Sequence, residues 1–275
     1  MRLAGRRVLV TGGAQGMGLL IAQEAAARGA HVGIWDVNGK ALPDAGARVA
    51  AARAGADQLV VSDVVDVGDP DAVVEAAGRL GGSLGRVDVL VNNAGVVSGK
   101  RLIELSPEEV QRTLRLNIAA LFWTGRAFLP PMIEAGAGHV VTMASAGGLI
   151  GVSGLSDYCA SKFGAVGFHE SLRAELRRTA PGVGTSLICP FFVGTGMFAG
   201  VRTRFPFLLP ILEPERVAAA VIRAVEKNRA VVVLPWFVHS LKLLRLLPAR
   251  WLDPIASFFG IHVAMDTFAG RPESP

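Results

Sequence analysis

Short runs rich in Val and Ile alternate with longer Ala- and Leu-rich stretches along most of this 275-residue chain. The short runs predict seven strands, at residues 7–10, 31–35, 58–62, 87–91, 139–143, 185–189 and 230–234. Helical periodicity predicts helices at 19–28, 70–80, 107–135, 157–179 and 214–228. This order indicates an α/β fold, a doubly wound parallel sheet of about seven strands with helices on both faces.

No linker rich in Gly, Ser or Pro divides the chain. We therefore expect a single domain at 1–235, with an apolar flap at 190–213, and an apolar and basic extension of the same domain at 236–275. The N-terminal apolar run is too short for a signal peptide, and no stretch has 18 uncharged apolar residues, so we expect a cytoplasmic protein.

The net charge of +5 would suit nucleic acid, an anionic cofactor or a membrane surface. There is no block of five basic residues, and the aromatic residues are not interleaved with basic ones, so we expect no nucleic-acid partner. Cys159 and Cys189 have no metal-ligand spacing, and we expect no metal site and a reducing compartment.

The run TGGAQGMG at residues 11–18 lies directly between the first strand and the first helix. In that position Gly12 permits a tight turn, Gly16 lets the backbone approach a pyrophosphate, and Gly18 lets the helix pack closely on the sheet. The N-terminus of the helix offers N–H groups and a positive dipole end to phosphates. The run predicts a dinucleotide site, and with it a Rossmann-type domain.

Asp36 ends the second predicted strand, eighteen positions after Gly18. A carboxylate there can accept hydrogen bonds from the adenosine ribose hydroxyls and would repel a 2′-phosphate, which favours NAD over NADP. Gln15 and Val37 add no positive charge. The alternative is that Asp36 caps the N-terminus of a following helix.

Tyr158 and Lys162 are four residues apart in a predicted helix, so both side chains can point into one cleft. A neighbouring ammonium favours the phenolate, which predicts a lowered pKa for the only tyrosine in the chain. Ser145 ends an apolar run thirteen residues earlier and could bond a substrate oxygen. Asn117, within a predicted helix, and the run 92–95 (NNAG) are further polar candidates. For each of these residues, the alternative is a structural hydrogen bond.

These motifs, in this order and spacing, resemble the short-chain dehydrogenase/reductase family over essentially the whole chain. The resemblance implies that Tyr158 is the acid or base, Lys162 lowers its pKa, Ser145 orients the substrate oxygen, and Asn117 holds a relay water. It also implies a set of cofactor-binding residues, which are Gly12, Gln15, Gly16, Met17, Gly18, Asp36, Asp63, Val64, Asn92, Ala94, Gly95, Tyr158, Lys162, Pro190, Val193 and Thr195.

The segments that follow Ser145 and the sixth strand are strongly apolar. Such walls suit a lipophilic alcohol and offer a sugar little to bond. The alternative is that they only pack the flap on the core. The candidate substrate-binding residues are Ser145, Leu149, Leu155, Phe191, Phe192, Met197 and Phe198.

Helical spacing in the extension would place His239, Lys242 and Arg245 on one stripe, among Trp, Phe and Leu. This pattern is typical of a helix at a membrane surface, and we expect peripheral lipid contact through 236–262. Packing on the domain or on a partner subunit is the alternative. The family resemblance implies a homodimer or homotetramer formed through the helices at 107–135 and 157–179.

The apolar flap, the extension and the closing MDTF at 265–268 resemble the branch of retinol dehydrogenases and of the 17-beta-hydroxysteroid dehydrogenases of lipid droplets. That resemblance implies oxidation of a retinoid, a steroid or a long-chain lipid alcohol with NAD. An NAD(P)H-dependent reductase of acyl or other carbonyls is an alternative. A protein that binds a nucleotide or a lipid surface without turnover is another.

Overall fold

A parallel sheet of seven strands runs through the computed structural model, which describes residues 1–270. The spatial order is β3-β2-β1-β4-β5-β6-β7, so the direction of winding reverses between β1 and β4, and the predicted fold is confirmed. Strands with both faces covered by helices are built from continuous apolar runs, as here. The strands are β1 (Arg7–Thr11), β2 (His31–Asp36), β3 (Val60–Val64), β4 (Val89–Asn92), β5 (Gly138–Met143), β6 (Val183–Pro190) and β7 (Val231–Leu234).

Helices cover both faces of the sheet. Apolar side chains of α1, α2 and α7 form one core with the sheet, and those of α3, α5 and α6 form another. None of the helices within residues 1–270 is long and apolar enough to cross a membrane. The helices are α1 (Gly16–Ala27), α2 (Leu42–Ala51), α3 (Pro70–Ser83), α4 (Pro107–Leu114), α5 (Ala120–Glu134), α6 (Ser156–Thr179), α7 (Pro214–Glu226), α8 (Ser240–Leu244) and α9 (Ala249–Phe258).

The helix predicted at 107–135 is two helices joined by a π-helical turn, Arg115–Ala119. Its start agrees with the sequence because Ser106 and Glu109 form a reciprocal capping box, each side chain accepting from the other residue's backbone N–H. The third strand lies two residues later than predicted, at Val60–Val64 rather than 58–62. This shift changes which residues reach the site.

The flap and the extension pack on each other beside the carboxyl ends of β5 and β6. Within the flap, Leu212 donates from its backbone N–H to the Phe192 carbonyl oxygen at 2.8 Å. The end of the extension returns to the flap, where the Ala269 N–H donates to the Ala199 carbonyl oxygen at 2.9 Å. The last five residues of the predicted extension lie outside the described residues.

Candidate active site

A cleft of about 530 Å³ opens at the carboxyl ends of the strands, where the winding direction of the sheet reverses. This is the position at which open parallel sheets bind ligands. The cleft gathers residues from most of the chain. Of the predicted cofactor residues, its walls contain Gly12, Gln15, Met17, Asp36, Ala94, Gly95, Tyr158, Lys162, Pro190, Val193 and Thr195.

The glycine-rich turn between β1 and α1 forms one wall. Gly12 has φ of 63°, in the left-handed region that favours glycine. A Cβ on Gly18 would overlap the Gly12 carbonyl oxygen, so only glycine lets α1 approach the turn this closely. Gly16 and Gly18 therefore shape the turn and do not themselves line the cleft.

The N-terminus of α1 is suited to an anion. Its capping residue, Gln15, makes no side-chain capping hydrogen bond, and the first turn contains no acidic residue. The positive end of the helix dipole is thus uncompensated by its own side chains, next to a turn that only glycines can form. These residues fit the pyrophosphate of a dinucleotide.

The Asp36 carboxylate is fixed by two backbone hydrogen bonds. Oδ2 accepts from the Ala14 N–H and Oδ1 accepts from the Asn38 N–H, each at 3.0 Å. Because α2 begins only at Leu42, Asp36 does not cap that helix. Each carboxylate oxygen retains a lone pair for a further donor such as a ribose hydroxyl.

The structure does not bring the predicted adenine contacts, Asp63 and Val64, into the cleft. Both residues belong to β3, where Asp63 pairs with Arg79 at 2.8 Å and the Val64 side chain is 56% exposed, and neither lines the cleft. The loop after the strand, Val65, Asp66 and Val67, lines it instead. The sequence could have indicated this loop, because a second Asp-Val pair follows the first by three residues.

The NNAG run ties the glycine-rich turn to β4. Thr11 Oγ1 accepts from the Asn93 and Ala94 N–H groups, and Asn93 Nδ2 donates to the carbonyl oxygens of Thr11 and Gly12. Asn93, Ala94 and Gly95 line the cleft. Asn92 does not, because its side chain is buried behind the strand and accepts from the Thr124 hydroxyl. The structure therefore places Asn93, which the sequence interpretation missed, at the cleft in place of the predicted Asn92.

Ser145, Tyr158 and Lys162 all line the cleft, so the structure brings the three predicted residues together. Lys162 Nζ donates to the Met143 carbonyl oxygen at 2.9 Å and lies 5.6 Å from the centre of the Tyr158 ring. The Ser145 side chain accepts from the Gly147 N–H, which fixes the hydroxyl at the end of β5. The phenol, the hydroxyl and the ammonium therefore lie on one wall.

Burial dominates the titration of this group of side chains. It raises the pKa of Tyr158 to about 12, while the hydrogen bond with Ser145 acts in the opposite direction. It lowers the pKa of Lys162 to about 8. The expected lowering of the tyrosine pKa by the ammonium is therefore not found. The free-energy cost of removing the phenolate from water exceeds the stabilisation that its neighbours give to the phenolate.

Asn117 lies in the π-helical turn and does not line the cleft. Its Oδ1 accepts from the Val96 N–H, and its Nδ2 donates to the Val96 carbonyl oxygen and to Ser161 Oγ. Both amide hydrogens are used, so the side chain holds the loop after β4 against α6. This is a positioning role; the relay water stays a prediction.

A second, apolar pocket begins at Ser145 and Tyr158 and runs under the extension. Leu155, Phe191, Phe192 and Phe198 line it as predicted, but Leu149 is buried in the neighbouring core and Met197 lines the dinucleotide cleft. The sequence missed its far wall, which comes from the extension. Those residues are Phe237, Val238, Ser240, Leu241, Leu244, Leu252, Ile255, Ala256, Phe259 and Ile261.

The predicted basic stripe of the extension is only partly described. His239 is exposed, and the Arg245 guanidinium lies 4.8 Å from the centre of the Phe163 ring. The side chain of Lys242 lies outside the described residues. Across residues 1–270, no group of three or more His, Cys, Asp or Glu side chains is arranged to hold a metal ion.

The fold and this site define a dinucleotide-binding oxidoreductase of the Rossmann type. The sequence model of a family described as short chain dehydrogenase matches residues 6–204. The chain belongs to the short-chain dehydrogenase/reductase family.

Relatives in this family are similar over nearly their whole length. Epidermal retinol dehydrogenase 2 of Mus musculus is 38% identical, covering 98% of this chain and 87% of its own. Short-chain dehydrogenase/reductase family 16C member 6 of Bos taurus is 35% identical, covering 99% and 86%.

Solved structures agree with the fold. A short-chain dehydrogenase/reductase from Burkholderia phymatum in complex with NAD has a TM-score of 0.79 and 26% identity, over 90% of this chain and 95% of its own. A metagenomic short-chain oxidoreductase in complex with NADP has a TM-score of 0.70 and 29% identity, over 85% and 97%. Both cofactors thus occur among structural relatives.

Proposed function

We propose that this protein is an NAD-dependent dehydrogenase of lipophilic alcohols. One observation carries the proposal: Ser145 and Tyr158 line both the dinucleotide cleft and the apolar pocket, so their polar side chains lie where the two meet. An alcohol whose apolar part fills the pocket would present its hydroxyl to both residues.

The bound dinucleotide would supply the hydride acceptor. Ser145 would hold the alcohol oxygen and stabilise charge that develops on it. Tyr158 would take the hydroxyl proton onto its phenol oxygen, or return it in the reverse direction. Lys162 would hold the ribose next to the nicotinamide, with its ammonium positioned by the hydrogen bond to the Met143 carbonyl oxygen at the end of β5.

Asp36 supports NAD as the cofactor. Its carboxylate is held in the cleft wall, and a 2′-phosphate there would meet a negative charge. Arg112 and Arg115 also line the cleft, but Arg115 is paired with Asp66 at 2.8 Å. Pairing with Asp66 makes the Arg115 guanidinium less available to a further phosphate.

The pocket supports a lipophilic substrate. Among the described side chains that line it, the only polar one besides Ser145 and Tyr158 is Ser240, whose hydroxyl donates to the Phe237 carbonyl oxygen at 2.7 Å. A sugar or hydroxy acid would leave its polar groups without partners there. The name of one of these relatives, epidermal retinol dehydrogenase 2, agrees with a retinoid or a comparable lipid alcohol.

The test is an NAD-coupled assay with a series that includes retinol, estradiol, a long-chain primary alcohol and a short alcohol. We expect turnover to increase with apolar size and to fall strongly in Tyr158→Phe. Equal turnover of a polar sugar alcohol would contradict the substrate class. Undiminished activity in Tyr158→Phe would contradict the assigned acid–base role.

A second candidate is the reverse reaction, reduction of a lipophilic carbonyl. It is favoured by the pKa of Tyr158, raised to about 12, because a carbonyl needs a protonated phenol. The discriminating measurement compares NADH-driven reduction with NAD-driven oxidation on the same alcohol–carbonyl pair near neutral pH.

We further propose a homodimer or homotetramer in the cytoplasm. Support for the assembly comes from α5 and α6, where Phe122 is 47% exposed and contacts Phe168 edge-on, beside exposed Gly164 and Gly167. Small residues let helices approach closely. Light scattering of Phe122→Glu should give a smaller species than the unaltered chain.

A further inference from the structure

We infer that the extension docks on an anionic lipid surface and that the substrate passes from this surface into the apolar pocket. The inference deepens the proposed function and rests on it for the identity of the substrate. It commits to a bilayer surface as the partner. A second copy of the chain is the competing occupant.

The extension has two apolar faces, and only one of them is covered. Leu241 is buried and Leu252 partly buried, and both line the pocket. On the same segments Leu246 is 81% exposed and Trp251 is 59% exposed. Large apolar side chains that are exposed together in this way mark a surface that binds a partner.

Aromatic contacts connect this outer face with the flap. Phe258 is exposed and contacts Phe205 of the flap at a ring distance of 5.6 Å, and Trp236 contacts Phe237 at 6.1 Å. The tip of the flap adds Phe207, which is 86% exposed. The exposed aromatic residues therefore belong to the flap and the extension, the two segments that also line the pocket.

The charge distribution identifies the partner. From 236 to 262 the sequence contains Lys242, Arg245 and Arg250 but a single acidic residue, Asp253. Arg204 of the flap adds a further cation, which lies 5.3 Å from the centre of the Phe258 ring. Exposed Trp and Leu bordered by cations match the headgroup region of an anionic bilayer.

The geometry joins docking to the reaction. Phe237 and Phe259 contact each other at 6.2 Å, and both line the pocket that begins at Ser145 and Tyr158. A lipid alcohol leaving the bilayer at this face would meet apolar side chains on its way to these two residues. It would not need to enter bulk water, where its transfer is unfavourable.

The first experiment measures flotation of the full chain with vesicles of phosphatidylcholine, with and without phosphatidylserine. We expect binding mainly to the anionic vesicles and weakening with added salt. Arg250→Gln should weaken that binding about fivefold, the effect of one cation near an anionic surface. No binding to either vesicle, or equal binding to both, would overturn the proposal.

The second experiment compares two double variants. Leu246→Glu/Trp251→Glu adds two negative charges to the outer face of the extension. The control, Leu59→Glu/Val74→Glu, adds the same charges at exposed apolar positions just before β3 and within α3. We expect the first variant to lose about tenfold or more in vesicle binding and the second to bind like the unaltered chain. Light scattering is measured in parallel. Loss of a dimer by the first variant, with vesicle binding unchanged, would assign the face to a second copy.

The kinetic readout separates docking from chemistry. With a long-chain alcohol supplied in anionic vesicles, Leu246→Glu/Trp251→Glu should raise KM and leave kcat unchanged, whereas a short soluble alcohol should be oxidised normally. An unchanged KM for the vesicle-borne alcohol would overturn delivery from the surface. If the unaltered chain binds vesicles but oxidises no alcohol, the proposed function fails while the docking surface stands.

Discussion

The Asp36 carboxylate accepts a hydrogen bond from the Ala14 N–H at 3.0 Å, which joins the end of β2 to the glycine-rich turn. The residue proposed to read the ribose therefore also supports the turn proposed to hold the pyrophosphate. Affinity and selectivity for the dinucleotide should change together when this residue is replaced.

Asp36→Ala should shift the preference from NAD toward NADP, with about a 10–100-fold loss in kcat/KM for NAD, the size expected for a lost charge-assisted hydrogen bond. Asp36→Asn is the control, because it keeps an acceptor for Ala14 while removing the charge. The measurement is kcat/KM for both cofactors. A ratio unchanged in both variants would refute the role of the carboxylate.

Alcohol oxidation should speed up as the pH rises. Because burial raises the pKa of Tyr158 to about 12, the phenol is protonated near neutral pH, and the phenolate fraction grows about tenfold per pH unit below that value. Carbonyl reduction should stay nearly constant over the same range. Tyr158→Phe should lower both rates by about 10²–10⁴-fold. An oxidation rate that is already flat near neutral pH would contradict this assignment.

In the absence of dinucleotide, Lys162→Met should raise the free energy of unfolding of the protein. The same variant should abolish turnover. Burial lowers the pKa of Lys162 from 10.5 to about 8, so the charged form is unfavourable in the folded protein, on the order of 1–3 kcal/mol. The unfolded chain binds the extra proton between these pKa values, so the gain is full below about pH 8 and disappears toward pH 10.5.

The measurement for Lys162→Met is Tm across that pH range, with Lys227→Met as the control, because Lys227 is exposed at the end of α7. The control should change Tm little at any pH. A Tm gain for Lys162→Met that persists unchanged at high pH would show that packing, and not the buried charge, is responsible.

Gly18→Ala should weaken dinucleotide binding and destabilise the protein by about 1–3 kcal/mol, since the added methyl overlaps the Gly12 carbonyl oxygen. Gly78→Ala is a matched control within α3, where a Cβ meets nothing within 4 Å. That control should stabilise by about 0.5–1 kcal/mol. Thermal unfolding and fluorescence titration with NADH measure both effects.

Asn117→Ala should lower dinucleotide affinity more than Ser161→Ala does. The first variant removes the side-chain partner of the partly buried Val96 backbone groups, at about 1–3 kcal/mol, whereas the second removes only one hydrogen bond of the amide. The measurement is the Kd for NADH together with kcat at saturating cofactor. Equal effects in the two variants would argue against positioning of the loop after β4.

The order of strands and the catalytic trio could be predicted because local signals specify both. Alternation gives the sheet, and residues four apart on a helix share a face whatever surrounds them. The strand boundary beside the predicted adenine contacts was less predictable: β3 ends two residues later than predicted, so Asp63 lies within the strand and Asp66 lines the cleft. Strand ends are decided by pairing with β2, which the sequence does not display.

The extension and the pKa of Tyr158 were beyond sequence reasoning for a different reason. Most side chains of residues 236–247 are apolar, so their pattern does not show which face turns inward; Leu244 lines the pocket while Leu243 is exposed. The tyrosine pKa depends on burial, which is a property of the whole packed site. The π-helical turn at Asn117 likewise depends on tertiary contacts, because the side-chain amide forms hydrogen bonds with Val96 and Ser161.

Ala269 and Thr267 hold Ala199 and Gly200 through backbone-directed hydrogen bonds, close to the end of the chain. The flap beside the reacting groups is therefore held by residues 67 or more positions further along the sequence. Exchanging residues 267–269 without the matching flap should alter which alcohols the protein accepts before it affects folding.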